Sequence, residues 1–341
     1  MKIYKVGGCI RDSFLGVDPK EIDWVVVGAN PAMLEQLGYI PVGNNFPVFL
    51  HPETKEEYAL ARTEKKSGVG YKGFTFFADE SVTLNDDLKR RDLTINAIAE
   101  DSTGELIDPF AGLQDLQQKI LRNTSEAFSE DPLRAFRVAR LKTLEHLHTF
   151  EISDSLELAL TQIKDSGELS FLTPERIWQE TEKALQNPKS SNFFSMILDY
   201  GLQDPWFNTL KEVPKLDHLN SPELKWIALQ NHNKFSLGKD FLYAKTYKKF
   251  EAIAQNLITL SAETNLEKIS DICEQLNFQR HASEITQLLA MGELGLNTNK
   301  ILKIQSAIEN LDLSELSNDK TRDVKLAKKK MFMKAIGDLN E

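Results

Sequence analysis

Gly7-Gly8-Cys9-Ile10-Arg11-Asp12, followed shortly by Glu21-Ile22-Asp23-Trp24-Val25-Val26-Val27-Gly28, is the stretch on which the reading of this chain turns. Ile3 to Val6 is a short β-run broken by Gly7-Gly8, and Ile10 to Leu15 is a helical turn or two ending at Gly16. Trp24 to Val27 is wholly apolar, the pattern of a central strand covered on both faces. Two glycines at a strand end let a ligand approach the backbone, and Arg11 adds positive potential, a combination suited to phosphate. Residues two apart on a strand share a face, so the spacing sets the Glu21 and Asp23 carboxylates side by side. Paired carboxylates beside a phosphate site suit Mg²⁺, a hard cation that keeps phosphate oxygens in its shell. Taken singly, each feature also fits a plain structural role, as a glycine turn or as exposed strand-edge carboxylates. Their nearness in sequence is what points to chemistry.

Working outward, Asn30-Pro31 starts a helix through Leu37 that Gly38 closes. Phe46–Leu50 and Glu57–Ala61 read as strands joined by the turn His51 to Lys55, and Thr103-Gly104 turns the chain before Leu106-Ile107. From about Ser129 the apolar period becomes helical and stays so, with Pro132 and Pro174 at first helical positions behind Asp131 and Thr173. The class is α+β: a mixed head over 1–125, then all-helical segments over 126–200 and 201–341. The 341 residues carry 41 basic and 51 acidic side chains, a net charge of −10, with 41% apolar residues, enough for a sizeable core. No apolar run approaches the roughly 20 residues of a spanning helix, which argues against a membrane protein. Cys9 and Cys273 are far apart and lack metal spacing, and the amino terminus has no signal-peptide layout, so the cytoplasm is the expected compartment. The global acidity argues against indiscriminate nucleic-acid coating but permits a local basic groove.

Two further motifs carry chemistry. Arg90-Arg91-Asp92-Leu93-Thr94-Ile95-Asn96-Ala97, with Asp108-Pro109-Phe110-Ala111-Gly112-Leu113 after it, could grip a triphosphate and a ribose hydroxyl, or could supply capping residues and surface arginines. Glu130-Asp131-Pro132-Leu133-Arg134 continues to Arg137 and Arg140, three arginines at spacing three along one helix. Asp131 can serve as a cap. A carboxylate acceptor beside a guanidinium donor also matches the Watson–Crick edge of cytosine and of adenine, while uracil and guanine present the opposite pattern.

These four motifs, in this order, closely resemble the bacterial CCA-adding enzymes, the class II tRNA nucleotidyltransferases, whose family also includes poly(A) polymerases. Phe46-Pro47-Val48-Phe49-Leu50-His51-Pro52, Glu57 to Glu64 and Leu172-Thr173-Pro174-Glu175-Arg176 extend the likeness over residues 1 to about 185. The resemblance implies a polymerase-β-like nucleotidyltransferase head, a helical nucleotide-recognition neck, and a helical body and tail that binds tRNA. It implies template-independent addition of C, C and A to tRNA ends from CTP and ATP with Mg²⁺, releasing pyrophosphate. Gly8 and Arg11 would contact the triphosphate, and Glu21 and Asp23 would hold the metal. Arg91 would bind nucleotide with Asp92 near the ribose. Asp131 and Arg134 would read the base, supported by Arg137 and Arg140. Lys65 to Leu84, with Gly68, Gly70 and Gly73, resembles the family's mobile loop associated with the switch from C to A. Rivals within this resemblance are an A-only or CC-only enzyme, a poly(A) polymerase, and a non-catalytic RNA-binding relative.

The chain departs from the family in having Glu21 where the pattern has Asp. The extra methylene displaces that carboxylate by about 1–1.5 Å, which a rotamer and small backbone adjustments can absorb. None of the six histidines is followed by Asp, so the metal-dependent phosphohydrolase domain of some relatives is not expected; His146 and His148 read as helix-surface residues. For tRNA, contacted through its acceptor and T arm, the candidates are Lys245, Lys248 and Lys249 and a basic stripe from Lys320 to Lys334 that includes Arg322, Lys325, Lys328 and Lys329. The chain could be a monomer or a homodimer.

Overall fold

The structure, a computed structural model, describes residues 1–42, 48–66, 74–312 and 324–339. Phe46, Pro47, Gly68, Gly70, Gly73, Lys320 and Arg322 lie outside the described residues. The chain divides into two compact units, Met1–Leu210 and Lys211–Glu341.

The first unit opens with β1 (Lys2–Val6), α1 (Gly8–Phe14), β2 (Asp23–Val27), α2 (Pro31–Gln36), β3 (Ile40–Val42), β4 (Val48–Leu50) and β5 (Glu57–Leu60). After the antiparallel pair β6 (Thr63–Lys66) and β7 (Phe74–Phe77) come α3 (Leu84–Lys89), β8 (Ala99–Glu100) and β9 (Leu106–Ile107). Seven of these strands form one sheet in the order β3-β4-β5-β2-β1-β8-β9, in which only β2 and β5 run parallel. β2 lies fourth of the seven, as its unbroken apolar run requires: Val25 packs with Tyr4, Val6 and Leu88 on one face, Val26 with Leu34, Phe49 and Leu60 on the other.

Register places the chemistry. Val6, the last residue of β1, pairs with Asp23 on one side and Ala99 on the other. The Gly7-Gly8 turn, the start of β2 and the segment entering β8 therefore converge at one end of the sheet. Glu21 precedes β2 instead of lying on it, so strand alternation does not pair it with Asp23 and the expected two-residue geometry needs correcting; the turn before β2 brings it to the same place.

Next come α4 (Gly112–Gln118), β10 (Ile120–Leu121), α5 (Leu133–Leu141), β11 (Glu151–Ile152), α6 (Asp154–Ser166), α7 (Pro174–Gln186) and α8 (Ser191–Asp199). β10 and β11 form a small parallel pair. α5 packs against α7 and α8. Its Phe136 meets Phe193 and Phe207, each with ring centroids 6.3 Å apart, and this aromatic core fixes the rotation of α5. Asp108 is explained by structure rather than by ligand: its carboxylate accepts from the Gly112 and Leu113 N–H groups at 2.8 Å, capping α4. Gly112 is obligatory there, because a Cβ would lie 2.2 Å from the Thr94 carbonyl oxygen.

The second unit is helical: α9 (Pro222–His232), α10 (Lys245–Ala262), α11 (Leu266–Leu276), α12 (Ala282–Met291), α13 (Thr298–Glu309) and a last helix, Val324–Gly337. α10 is central, packing on α9, α11, α12 and α13, and Trp226, Leu257, Leu276 and Ile301 are wholly buried. No described helix is long and apolar enough to cross a membrane.

Candidate active site

A cavity of about 600 Å³ opens at the convergent end of the sheet, between the glycine turn and α5. All ten nucleotide and metal candidates named from sequence line it: Gly8, Arg11, Glu21, Asp23, Arg91, Asp92, Asp131, Arg134, Arg137 and Arg140. Nine basic and four acidic side chains face this one space in a chain whose net charge is −10.

The glycine turn is built for close approach. Gly7 has φ +79°, its N–H donates to the Ile98 carbonyl at 3.2 Å, and a Cβ would lie 3.0 Å from Arg91 Nη1. A Cβ on Gly8 would lie 3.3 Å from Arg11 Nη2. Arg11 is buried, its Nη1 donating to Asn96 Oδ1 at 2.7 Å and its Nε to Asp12 Oδ1 at 2.8 Å. Burial raises the Asp23 carboxyl, Arg91 opposes this, and Glu21 adds to it.

The arginines are steered by carboxylates. Wholly buried Asp87 accepts from Arg90 at 3.0 Å and Arg91 at 3.1 Å. Burial would raise its carboxyl, but the two guanidinium charges bring it below the usual range. Asp92 Oδ1 accepts from the Leu93 N–H and from Asn96 Nδ2, both at 2.9 Å, and Oδ2 from Arg137 Nε at 2.8 Å. Burial works against this carboxylate too, and the Arg137 charge with the Asn96 hydrogen bond outweighs it, holding the group well below the ordinary range. Arg137 is reciprocally raised by Asp92. Arg140 Nε donates to Glu180 Oε2 at 2.6 Å.

Asp131 and Arg134, expected from sequence to read the base, are arranged differently from a simple side-by-side fork. Asp131 Oδ1 accepts from the Leu133 N–H at 3.2 Å, so it caps the start of α5, and Oδ2 accepts from Arg176 Nη2 at 3.2 Å. Arg134 donates to the carbonyls of Arg90 at 2.7 Å and Ala127 at 3.1 Å. Both side chains still border the cavity. Arg176 and Lys183, seven residues apart on α7, were not singled out from sequence although they line the same wall; with Glu180 they make a charged stripe opposite the buried Ile177, Trp178, Ala184 and Leu185. Arg90 and Asn96, from the motif expected to grip a triphosphate and a ribose hydroxyl, also line the cavity, as does Arg62, which stood in a quoted motif without a role.

The expectation for His146 is corrected. It lies in the turns after α5, half-buried, with Nε2 at 3.0 Å from Asp12 Oδ1, whereas the His148 ring meets the Glu145 carbonyl of its own turn. The lysines expected to meet RNA lie on α10 and the last helix. Lys249 is paired with Glu284 at 2.5 Å and Lys329 with Asp271 and Glu267 at 2.7 and 3.0 Å. Lys248 lies over the Tyr243 ring and Lys328 over Phe332.

Among the described residues no group of three or more His, Cys, Asp or Glu side chains could hold a metal. Glu21 and Asp23 offer two hard-oxygen donors facing the open cavity, and Gly7 leaves the space beside Asp23 Oδ2 clear, where a Cβ would come within 4.0 Å. This donor set fits a divalent cation that takes the rest of its shell from phosphate and water.

Residues 3–122 match the family described as the poly A polymerase head domain, and residues 149–214 match one described as a probable RNA and SrmB-binding site of polymerase A. The chain is similar to the multifunctional CCA protein of Aliivibrio salmonicida, 40% identical over 337 residues that span 93% of this chain and 81% of that protein. Among solved structures it resembles the Bacillus stearothermophilus CCA-adding enzyme in complex with CTP, with a TM-score of 0.66 and 21% identity over 99% of this chain and 89% of that one. It also resembles the Thermotoga maritima CCA-adding enzyme complexed with tRNA, with a TM-score of 0.66 and 20% identity over 98% and 87% of the two chains. The structural likenesses agree in fold with the head and helical segments described above, and the sequence identity settles descent: this chain belongs to the CCA-adding tRNA nucleotidyltransferase family, that of the multifunctional CCA proteins.

Proposed function

We propose that this protein adds C, C and A, without a template, to the 3′ end of tRNA, using CTP and ATP and releasing pyrophosphate. The observation that carries the reading is the single cavity in which nine basic side chains surround two metal-suited carboxylates and the Asp131–Arg176 pair. Arg11 and Arg91 bind the triphosphate where Gly7 and Gly8 admit it. Asp92 acts by holding Arg137 and Asn96, since both its oxygens are already occupied by protein donors. Asp131 presents the base acceptor, with Arg134 fixed as its neighbouring donor and Arg137 and Arg140 lining the approach. Glu21 and Asp23 hold Mg²⁺, which when bound supplies charge neutralisation and a more acidic primer hydroxyl. The protein groups otherwise position and orient, as phosphoryl transfer requires. Lys245, Lys248, Lys325 and Lys328, flanked by the carboxylate-paired Lys249 and Lys329, supply phosphate contacts to the acceptor and T arm, and the compartment is the cytoplasm. We take residues 1–125, 126–200 and 201–341 as the catalytic head, the nucleotide-recognition neck and the tRNA-binding body and tail.

The test is to incubate the protein and Mg²⁺ with tRNAs ending before CCA, after C and after CC, offering the four nucleotides singly and together. Product length is read to one nucleotide. Addition of C, C and A that then stops supports the reading. Only C additions or only the final A would divide the pathway, a long A ladder would make it a poly(A) polymerase, and no product would leave a binding protein.

A further inference from the structure

Arg11 is gripped from behind by Asp12, which is itself held by His146, a residue outside the recognised motifs. Neighbours one apart on a helix do not face each other, yet Arg11 Nε and Nη2 both reach Asp12 Oδ1, at 2.8 and 2.7 Å. Something must hold Asp12 in that posture, and His146 does so, its Nε2 lying 3.0 Å from the same oxygen. Burial would raise the Asp12 carboxyl, but the His146 hydrogen bond and the Arg11 charge hold it below the usual range. It is therefore an ionised acceptor, and His146 offers it an N–H.

The other edge of the guanidinium is held as well. Arg11 Nη1 donates to Asn96 Oδ1 at 2.7 Å, Asn96 Nδ2 to Asp92 Oδ1 at 2.9 Å, and Arg137 Nε to Asp92 Oδ2 at 2.8 Å. The bonds thus leave α5 at Arg137, cross the head, and return to the segment just after α5 at His146. A guanidinium has five N–H donors. Two donate hydrogen bonds in this circuit and a third belongs to Nη2 in its ion pair with Asp12, which leaves one on each Nη, and Gly8 keeps their side open.

We propose that His146 is a positioning residue for nucleotide binding: acting through Asp12, it fixes the Arg11 guanidinium so that its two remaining N–H groups meet the triphosphate. The proposal rests on the reading of Arg11 as a triphosphate contact. Without His146, Asp12 swings away and Arg11 loses one of its two anchors while the fold, the metal carboxylates and the tRNA surface stay as they are.

The experiment measures single C addition by the full chain and by H146A, H146Q, R11A and R11A/H146A, on a tRNA lacking CCA. H146A should raise KM for CTP about five- to tenfold, the loss of one charge-assisted hydrogen bond acting indirectly, with kcat and KM for tRNA within about twofold. Glutamine can place an N–H near the Nε2 position, so H146Q should recover most of the loss. In the R11A background H146A should change nothing further. An unchanged KM for CTP in H146A beside a raised one in R11A overturns the proposal, as does an undiminished effect of H146A in the R11A background. An unchanged KM in R11A removes the triphosphate reading, and the proposal with it.

Discussion

Asp92→Asn removes one charge and no heavy atom, and the structure sets what it costs. Asp92 is 5% exposed, and its two oxygens accept from three donors: the Leu93 N–H, Asn96 Nδ2 and Arg137 Nε. An amide has a single acceptor oxygen. Turned toward Leu93 and Asn96, it confronts Arg137 with an NH₂; flipped, it confronts the other two donors. Either orientation leaves a buried donor unmatched, at about 1–3 kcal/mol. Breaking a fully buried ion pair costs about 3–5 kcal/mol, but the Arg137 side chain is 41% exposed, so solvent takes up much of that charge. The combined effect is about 2–3 kcal/mol. Urea unfolding should show it as a lower midpoint at constant slope, and KM for nucleotide should rise because either Arg137 or Asn96 loses the acceptor that holds it. The pH dependence gives a second readout. The Asp92 carboxyl titrates lower in the folded than in the unfolded chain, so its stabilisation is complete above the unfolded value near 4 and fades as pH falls toward the folded one. The stability gap between the parent and D92N should therefore be constant above about pH 5 and narrow below about pH 4. A gap under about 0.5 kcal/mol, or one indifferent to acid, would refute the reasoning.

Three other perturbations probe separate parts of the molecule. Gly112→Ala puts a Cβ 2.2 Å from the Thr94 carbonyl; α4 or the 94–96 turn must move, at about 3 kcal/mol in urea unfolding, and a loss below about 1 kcal/mol would show that α4 slides without strain. Asp23→Ala should abolish metal-dependent incorporation, substantial residual turnover refuting the metal assignment, while Glu21→Asp should keep or raise it, a dead enzyme showing a site built around glutamate. Replacing Lys325 and Lys328 together with Ala should weaken tRNA binding and lower its log–log salt slope by about one to two; an unchanged slope removes these lysines from the RNA surface.

The parts of this molecule legible in sequence are those fixed by local pattern. Trp24–Val27 could be placed mid-sheet because both its faces are buried, and its neighbours inherit their positions from that one strand. The site motifs were legible for a related reason: glycines, paired carboxylates and spaced arginines announce chemistry by residue type. What was not legible is which side chain holds which. Asp92 and Arg137 are 45 residues apart, Asp12 and His146 are 134 apart, and nothing in local periodicity joins them. His146 looked like surface because its partner lies on α1. Glu21 looked like a strand residue because β2 starts one position after Ile22, where the Val6–Asp23 pair ends the ladder. The stripe of Arg176, Glu180 and Lys183 was present in the helical spacing of α7, but only packing decides that it faces a cavity.

Carboxylates, three of the five buried, explain how so many arginines share one cavity. Asp87 takes Arg90 and Arg91, Asp92 takes Arg137, Glu180 takes Arg140, Asp12 takes Arg11, and Asp131 meets Arg176. Each acid lowers the mutual repulsion of the cations while using up only part of a guanidinium, because one carboxylate oxygen occupies one or two of five N–H donors. The remaining donors are aimed before any ligand arrives, so binding a triphosphate requires little further ordering of side chains. It follows that Asp87, Asp92, Glu180 and Asp12 matter to nucleotide affinity without touching nucleotide, and that neutralising any of these four should act on KM through its own arginine. Exchanging Arg for Lys at these positions should then fail even though charge is kept, since an ammonium cannot grip its acid on one edge and offer a second edge to the ligand.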